Sequence, residues 1–76
     1  MFDTELAFFK AHQDELVSRH GGKTLVIRGE TVEGVYASAL EAYLEAQKRF
    51  QLGTFMIQPC EAGPRAYTVT ISSMNW

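Results

Sequence analysis

The chain has 76 residues, of which 46% are hydrophobic and 21% are charged, a balance that excludes intrinsic disorder and predicts one domain over residues 1–76. Its net charge of −2 excludes a protein that binds nucleic acid through a strongly basic surface. One cysteine excludes an internal disulfide framework, and the sequence lacks an apolar run long enough for a membrane span, so we expect a soluble cytoplasmic protein.

The first predicted element is a helix over residues 4–19. Asp3 is the expected N-cap, and the Gly21-Gly22 pair is expected to end the helix. The stripe that recurs at three- and four-residue spacing consists of Phe2, Leu6, Phe9, Gln13, Leu16 and Val17. Phe8 lies off this stripe, so a helix packed on one sheet leaves it partly uncovered.

A hairpin follows the first helix. Residues 23–28 and 31–36 have strand character, and Gly29-Glu30 between them suits a type II′ turn. The resulting register pairs Ile27 with Val32 and Leu25 with Gly34. It places an apolar set on one face of the hairpin, consisting of Leu25, Ile27, Val32 and Tyr36. Val26 and Val35 are predicted on the mixed opposite face.

A second helix begins with a capping box, in which Ser38 and Glu41 satisfy backbone N–H groups of the first turn. Gly53 is expected to close it. The residues predicted to form its buried stripe are Leu40, Tyr43, Leu44, Gln47 and Phe50.

Two further strands are predicted, over residues 54–58 and 66–72. The element order is therefore α-β-β-α-β-β. A right-handed crossover through the second helix predicts an antiparallel four-stranded sheet in the order 2-1-3-4. With both helices on one face of that sheet, the fold is a two-layer α+β sandwich. The other face is predicted to be partly wet.

About half of the chain resembles a group of small, uncharacterised bacterial α+β proteins. The resemblance rests on the Gly22-Lys23 strand start, the Gly29-Glu30 hairpin, the capped alanine-rich helix and the closing segment Phe55-Met56-Ile57-Gln58, which corresponds to an "F-L-I-Q" pattern. This sequence has Thr24 where the group has an aromatic residue, and Met56 within the closing pattern. The resemblance implies a fold and no activity.

The residues that could carry chemistry are few. Cys60 is a candidate nucleophile only if a histidine such as His12 lowers its pKa, whereas the neighbouring Glu61 raises the pKa of a thiol. His12 and His20 are eight residues apart, too far for a helical pair of ligands to one metal ion. We therefore expect no catalytic residues, no metal and no cofactor.

The sequence instead indicates association. The predicted contact surface combines the fourth strand with the wet sheet face and comprises Phe8, Met56, Thr68, Thr70 and Trp76. Our first hypothesis is a non-enzymatic protein-interaction or regulatory module that forms a homodimer. The second is a small enzyme or ligand binder that uses Cys60 and His12 at an inter-subunit cleft. The third is a nucleic-acid accessory protein.

Overall fold

The computed structural model describes residues 2–63 and 71–72. The protein has the predicted α+β class, with helices packed on an antiparallel sheet in which β1 lies between β2 and β3. The elements are α1 (Asp3–Ala11), α2 (Gln13–His20), β1 (Thr24–Arg28), β2 (Thr31–Tyr36), α3 (Ala39–Arg49), β3 (Met56–Pro59) and β4 (Ile71–Ser72). The two residues of β4 pair antiparallel with β3. Within the described ranges, each helix is too short or too polar to cross a membrane.

The first predicted helix is divided in two at His12, which separates α1 from α2. His12 has φ −115° and ψ 14°, and its N–H is shared between the carbonyls of Phe8 and Phe9 at 3.1 and 3.2 Å. Asp3 is not the N-cap, because Phe2 holds that position without a side-chain hydrogen bond. A continuous helix over residues 4–19 was therefore the wrong prediction. Phe8 packs against the same core cluster as Phe9.

The sheet is covered on both faces, so the prediction of both helices on one face is wrong. One cluster joins α1 and α2 to the sheet and contains Phe9, Leu16, Leu25, Ile27, Met56 and Cys60. The other joins α3 to the sheet and contains Val26, Ala42, Ala46, Phe55 and Ile57. Successive strand residues point to opposite faces, so Leu25 and Ile27 face α1 and α2 while Val26 faces α3. The protein therefore has three layers, with the sheet in the middle.

A β-bulge in the hairpin changes the predicted register. Ile27 pairs with Val32 as predicted, but the register then shifts, so Leu25 pairs with Val35 instead of Gly34. Glu33 is the extra residue of β2. A bulge of this kind exchanges the faces of every residue beyond it. Val35 accordingly packs against the first cluster, and the adjacent Tyr36 packs against the second.

The start of α3 confirms the predicted capping box. The Ser38 hydroxyl accepts a hydrogen bond from the Glu41 N–H at 3.1 Å, and the Glu41 carboxylate accepts one from the Ala37 N–H at 3.0 Å. The helix ends at Arg49, and Phe50 is its C-cap. Gly53 therefore lies beyond the helix and does not close it.

Candidate interaction surface

Helix α3 packs on the sheet through its small residues and turns its leucines outward. Ala42 and Ala46 are fully or almost fully buried, whereas Leu40 is 67% exposed and Leu44 is 41% exposed. The predicted buried stripe is therefore wrong at Leu40, Leu44 and Gln47, which are exposed, whereas its other two members, Tyr43 and Phe50, pack against the second cluster. The alanine methyl groups leave room for the helix backbone to lie close to the sheet. Residues four apart share one side of a helix, so Leu40 and Leu44 form one apolar strip.

The charges of α3 are sorted along its length. Glu41 lies in its first turn, Glu45 lies just past its middle, and Lys48 and Arg49 lie in its last turn. This order suits the helix dipole, and Lys48 forms an ion pair with Glu45 at 3.3 Å. Glu41 and Lys48 are both exposed and are separated by two turns, so they flank the leucine strip on the same side. We call Leu40, Leu44, Glu41 and Lys48 the outer face of α3.

The contact surface predicted from the sequence is only partly available for contact. Met56 is fully buried in the first cluster, so its assignment to that surface is wrong. The predicted wet face of the sheet does not exist over β1 to β3, because α3 covers it. Phe8 is half-buried, and its ring centre lies 4.7 Å from that of His12. Thr68, Thr70 and Trp76 lie outside the described residues.

The structure gives Cys60 the environment of an inert thiol. Its side chain is fully buried. Its backbone N–H donates a hydrogen bond to the Lys23 carbonyl, and its own carbonyl accepts one from the Gly22 N–H. Burial raises the pKa of the Cys60 thiol, which keeps the sulfur neutral. A nucleophilic cysteine needs the opposite, namely a lowered pKa and access to a substrate. The His12 side chain is half-exposed, and its Nδ1 lies 3.9 Å from a carboxylate oxygen of Glu15 on the outside of the helix pair.

A shallow groove of about 480 Å³ lies between α1 and the hairpin turn. Its lining residues are Ala7, Phe8, Ala11, His12 and Glu30. The turn is held against α1 because the Gly29 N–H donates a hydrogen bond to the Glu5 carboxylate at 2.8 Å. The sequence carried no signal for this groove, since tertiary packing alone brings Glu30 next to α1. It contains one imidazole and one carboxylate and lacks a nucleophile among its lining residues.

Comparison with protein-family models, with curated proteins and with solved structures found no match to this chain. The resemblance to small bacterial α+β proteins therefore stays a prediction. Within the described part of the chain, no group of three or more His, Cys, Asp or Glu side chains is placed to hold a metal ion.

Proposed function

We propose that the protein is a non-enzymatic protein-interaction module that forms a homodimer through the outer face of α3. The observation that carries this proposal is the inverted packing of α3, with Ala42 and Ala46 inside and Leu40 and Leu44 outside. Exposed leucines that follow one side of a helix lose their contact with water when a second apolar surface covers them. The buried, neutral Cys60 thiol argues against the enzyme hypothesis.

The proposed partner is a second copy of the chain, because the outer face is complementary to itself. A two-fold axis near Leu44 sets the two α3 helices antiparallel, and each contact then occurs twice. Glu41 of one copy comes to lie beside Lys48 of the other, while the two leucine strips meet between them. This arrangement pairs opposite charges on both sides of the axis, whereas a parallel arrangement places like charges together.

The size of α3 sets the expected strength of the dimer. A helix of 11 residues is roughly 16 Å long, so its outer face buries less than the roughly 800 Å² per partner of a standard interface. We therefore expect a dimer that dissociates on dilution, with a dissociation constant in the micromolar range or weaker.

The predicted edge of the sheet is the alternative contact, which the variants below distinguish from the outer face of α3. We propose that the whole segment Ala66–Ser72 continues the pairing of β4 with β3 and completes the sheet in the order 2-1-3-4. Thr68 and Thr70 would then lie on an edge strand, which can pair with a second chain. The cytoplasmic location stays a prediction.

Sedimentation velocity over a range of protein concentrations tests the proposal. The unaltered protein is expected to shift from monomer to dimer as concentration rises. Leu44→Glu should remain a monomer at concentrations where the unaltered protein is dimeric, because a dimer of this variant would bury two carboxylates near the axis. Ser18→Glu is the matched control, since it adds the same charge on α2, across the sheet from α3, and it should still dimerise.

Two further variants test the placement of the contact. Lys48→Glu should weaken the dimer, because the new carboxylate then lies beside Glu41 of the other copy. Thr70→Glu should leave dimerisation unchanged. A monomer at every concentration would overturn the proposed function. Dissociation by Thr70→Glu, with Leu44→Glu still dimeric, would move the contact to the sheet edge.

A further inference from the structure

Two arginines and an aromatic ring meet where the end of α3 reaches the hairpin. The guanidinium carbon of Arg28 lies 4.4 Å from the centre of the Phe50 ring, and that of Arg49 lies 4.9 Å from it. Both cations are therefore within the range of an attractive cation–π contact with one ring. The Phe50 ring also lies 6.4 Å from that of the buried Phe55, which ties it to the second core cluster. We call Arg28, Arg49 and Phe50 the arginine cluster.

The bulge at Glu33 positions both arginines. Arg49 donates a hydrogen bond to the Glu33 carbonyl oxygen at 3.3 Å, and the Arg28 guanidinium lies 3.7 Å from the Glu33 carboxylate. A bulged residue leaves the regular strand ladder, so its backbone groups are available to other partners. The cluster is thus built by three separate parts of the chain: the end of β1, the bulge in β2 and the end of α3.

The guanidinium of Arg28 has donors that the described residues do not use. Its Nε is buried and has no hydrogen-bond acceptor among those residues. The 3.7 Å separation from the Glu33 carboxylate is too long for a hydrogen bond, so that contact is an ion pair only. The Arg28 side chain as a whole is 41% exposed, so part of it reaches the surface although its Nε is buried. A buried donor without a partner costs free energy, so the arrangement of Arg28 is not explained by contacts among the described residues alone.

We propose that the arginine cluster binds the phosphate group of a small phosphate monoester. Two guanidiniums and one carboxylate leave a local charge of one positive unit, which attracts the negative charge of a phosphate group. Planar guanidinium groups match phosphate oxygens with two parallel hydrogen bonds, and the anchored Phe50 ring holds the Arg28 fork in place before the ligand arrives. A long nucleic-acid strand is a poorer ligand, because the net charge of −2 repels a polyanion.

Nitrogen NMR of the arginine side chains tests this proposal in the unaltered protein. Because the Arg28 Nε–H is buried, we expect its proton to exchange slowly enough with water for its resonance to be followed directly. Titration with inorganic phosphate up to about 10 mM should shift this resonance with saturation, and phenyl phosphate should bind more tightly than inorganic phosphate if a monoester is the ligand. Sodium chloride at equal ionic strength should give no saturating shift.

Arg49→Gln and Arg19→Gln form the matched pair of variants. Both remove one positive charge, but Arg19 lies on α2, across the sheet from the cluster, and forms an ion pair with Glu15 at 3.1 Å. Arg49→Gln should weaken phosphate binding by about tenfold, and Arg19→Gln should change it by less than about twofold. Equal weakening in both variants, or the same linear shift with phosphate and chloride, would overturn the site. Tighter binding of an oligonucleotide than of phenyl phosphate would overturn the ligand class.

Discussion

Cys60 occupies a position in the first cluster that only an uncharged side chain can hold without loss of stability. The thiol is fully buried, and burial raises its pKa above the ordinary value of 9.0. In the unfolded chain the thiol ionises at that ordinary value, whereas the folded protein keeps it protonated to higher pH. The stabilising contribution of the neutral thiol is therefore complete below about pH 9 and is lost as the pH rises toward its raised value.

We predict that the free energy of unfolding of the unaltered protein falls more steeply above about pH 9 than that of Cys60→Ala. Urea unfolding at a series of alkaline pH values measures both proteins, and their difference removes the titration of lysines and tyrosines. Cys60→Ala should be less stable at neutral pH by about 1 kcal/mol, since it removes a buried sulfur. If the free energies of unfolding of the two proteins fell in parallel with rising pH, the thiol would have the same pKa in the folded and the unfolded chain, which contradicts the prediction.

At the residue scale, the features that the sequence predicted correctly are those that depend only on residues close together along the chain. The capping box of Ser38 and Glu41 and the pairing of Ile27 with Val32 next to the turn are local, and both are confirmed. The bulge at Glu33 was not predicted, although the adjacent Gly34 is the kind of residue that marks a bulge inside a strand. Its contact with Arg28 crosses the same hairpin, whereas its contact with Arg49 comes from 16 residues further along the chain.

At the scale of elements, α3 shows how a pattern of large apolar residues can indicate the wrong face of a helix. The reading of Leu40 and Leu44 as buried assumed that the largest apolar side chains occupy the core. In the structure Ile57 of β3 and Phe55 just before that strand already supply large side chains on that side, and the helix contributes alanines. The choice between the two faces depends on the space left above the sheet, which the sequence of α3 alone does not contain.

We predict opposite effects of size changes on the two sides of α3. Ala46→Leu should destabilise the protein by about 1–3 kcal/mol, because three further carbon atoms do not fit between the helix and the sheet. Leu44→Ala should change stability by no more than about 0.5 kcal/mol when measured on the monomer, since the leucine is exposed and alanine has the higher helix propensity.

Urea unfolding at low protein concentration checks both variants, with Leu40→Ala as a second exposed control. If Leu44→Ala cost as much as Ala46→Leu, the leucine strip would have to be covered within the monomer. That outcome would also remove the observation on which the proposed dimer rests.

At the scale of the whole molecule, the central strand explains why the number of layers was missed. Thr24, Leu25, Val26 and Ile27 are all buried, as expected for a strand with helices on both faces. Their sequence nevertheless fits a strand with one covered face, because the flanking Lys23 and Arg28 are polar. Assignment of both helices to one face did not follow from the element order, because a right-handed crossover fixes the side of α3 and leaves open the side on which the helices before β1 pack.

The two core clusters share β1 and are therefore expected to unfold together. Ile27→Val in the first cluster and Ile57→Val in the second should each lower the free energy of unfolding by about 1 kcal/mol. If the layers form one cooperative unit, the backbone amides of Leu25 and Val26 exchange with solvent only through global unfolding. Each variant should then speed their exchange about fivefold, the factor that corresponds to about 1 kcal/mol.

Hydrogen exchange followed by NMR measures this effect, and the Glu33 amide serves as the internal control. Glu33 lies at the bulge of the outer strand, so we expect its amide to exchange through local opening and to keep the same rate in both variants. Acceleration of the β1 amides by Ile27→Val but not by Ile57→Val would mean that α3 separates from the sheet before the rest unfolds. In that case the helix that carries the proposed dimer contact would be a separate, weaker unit, and dimerisation would stabilise α3 more than the remainder of the protein.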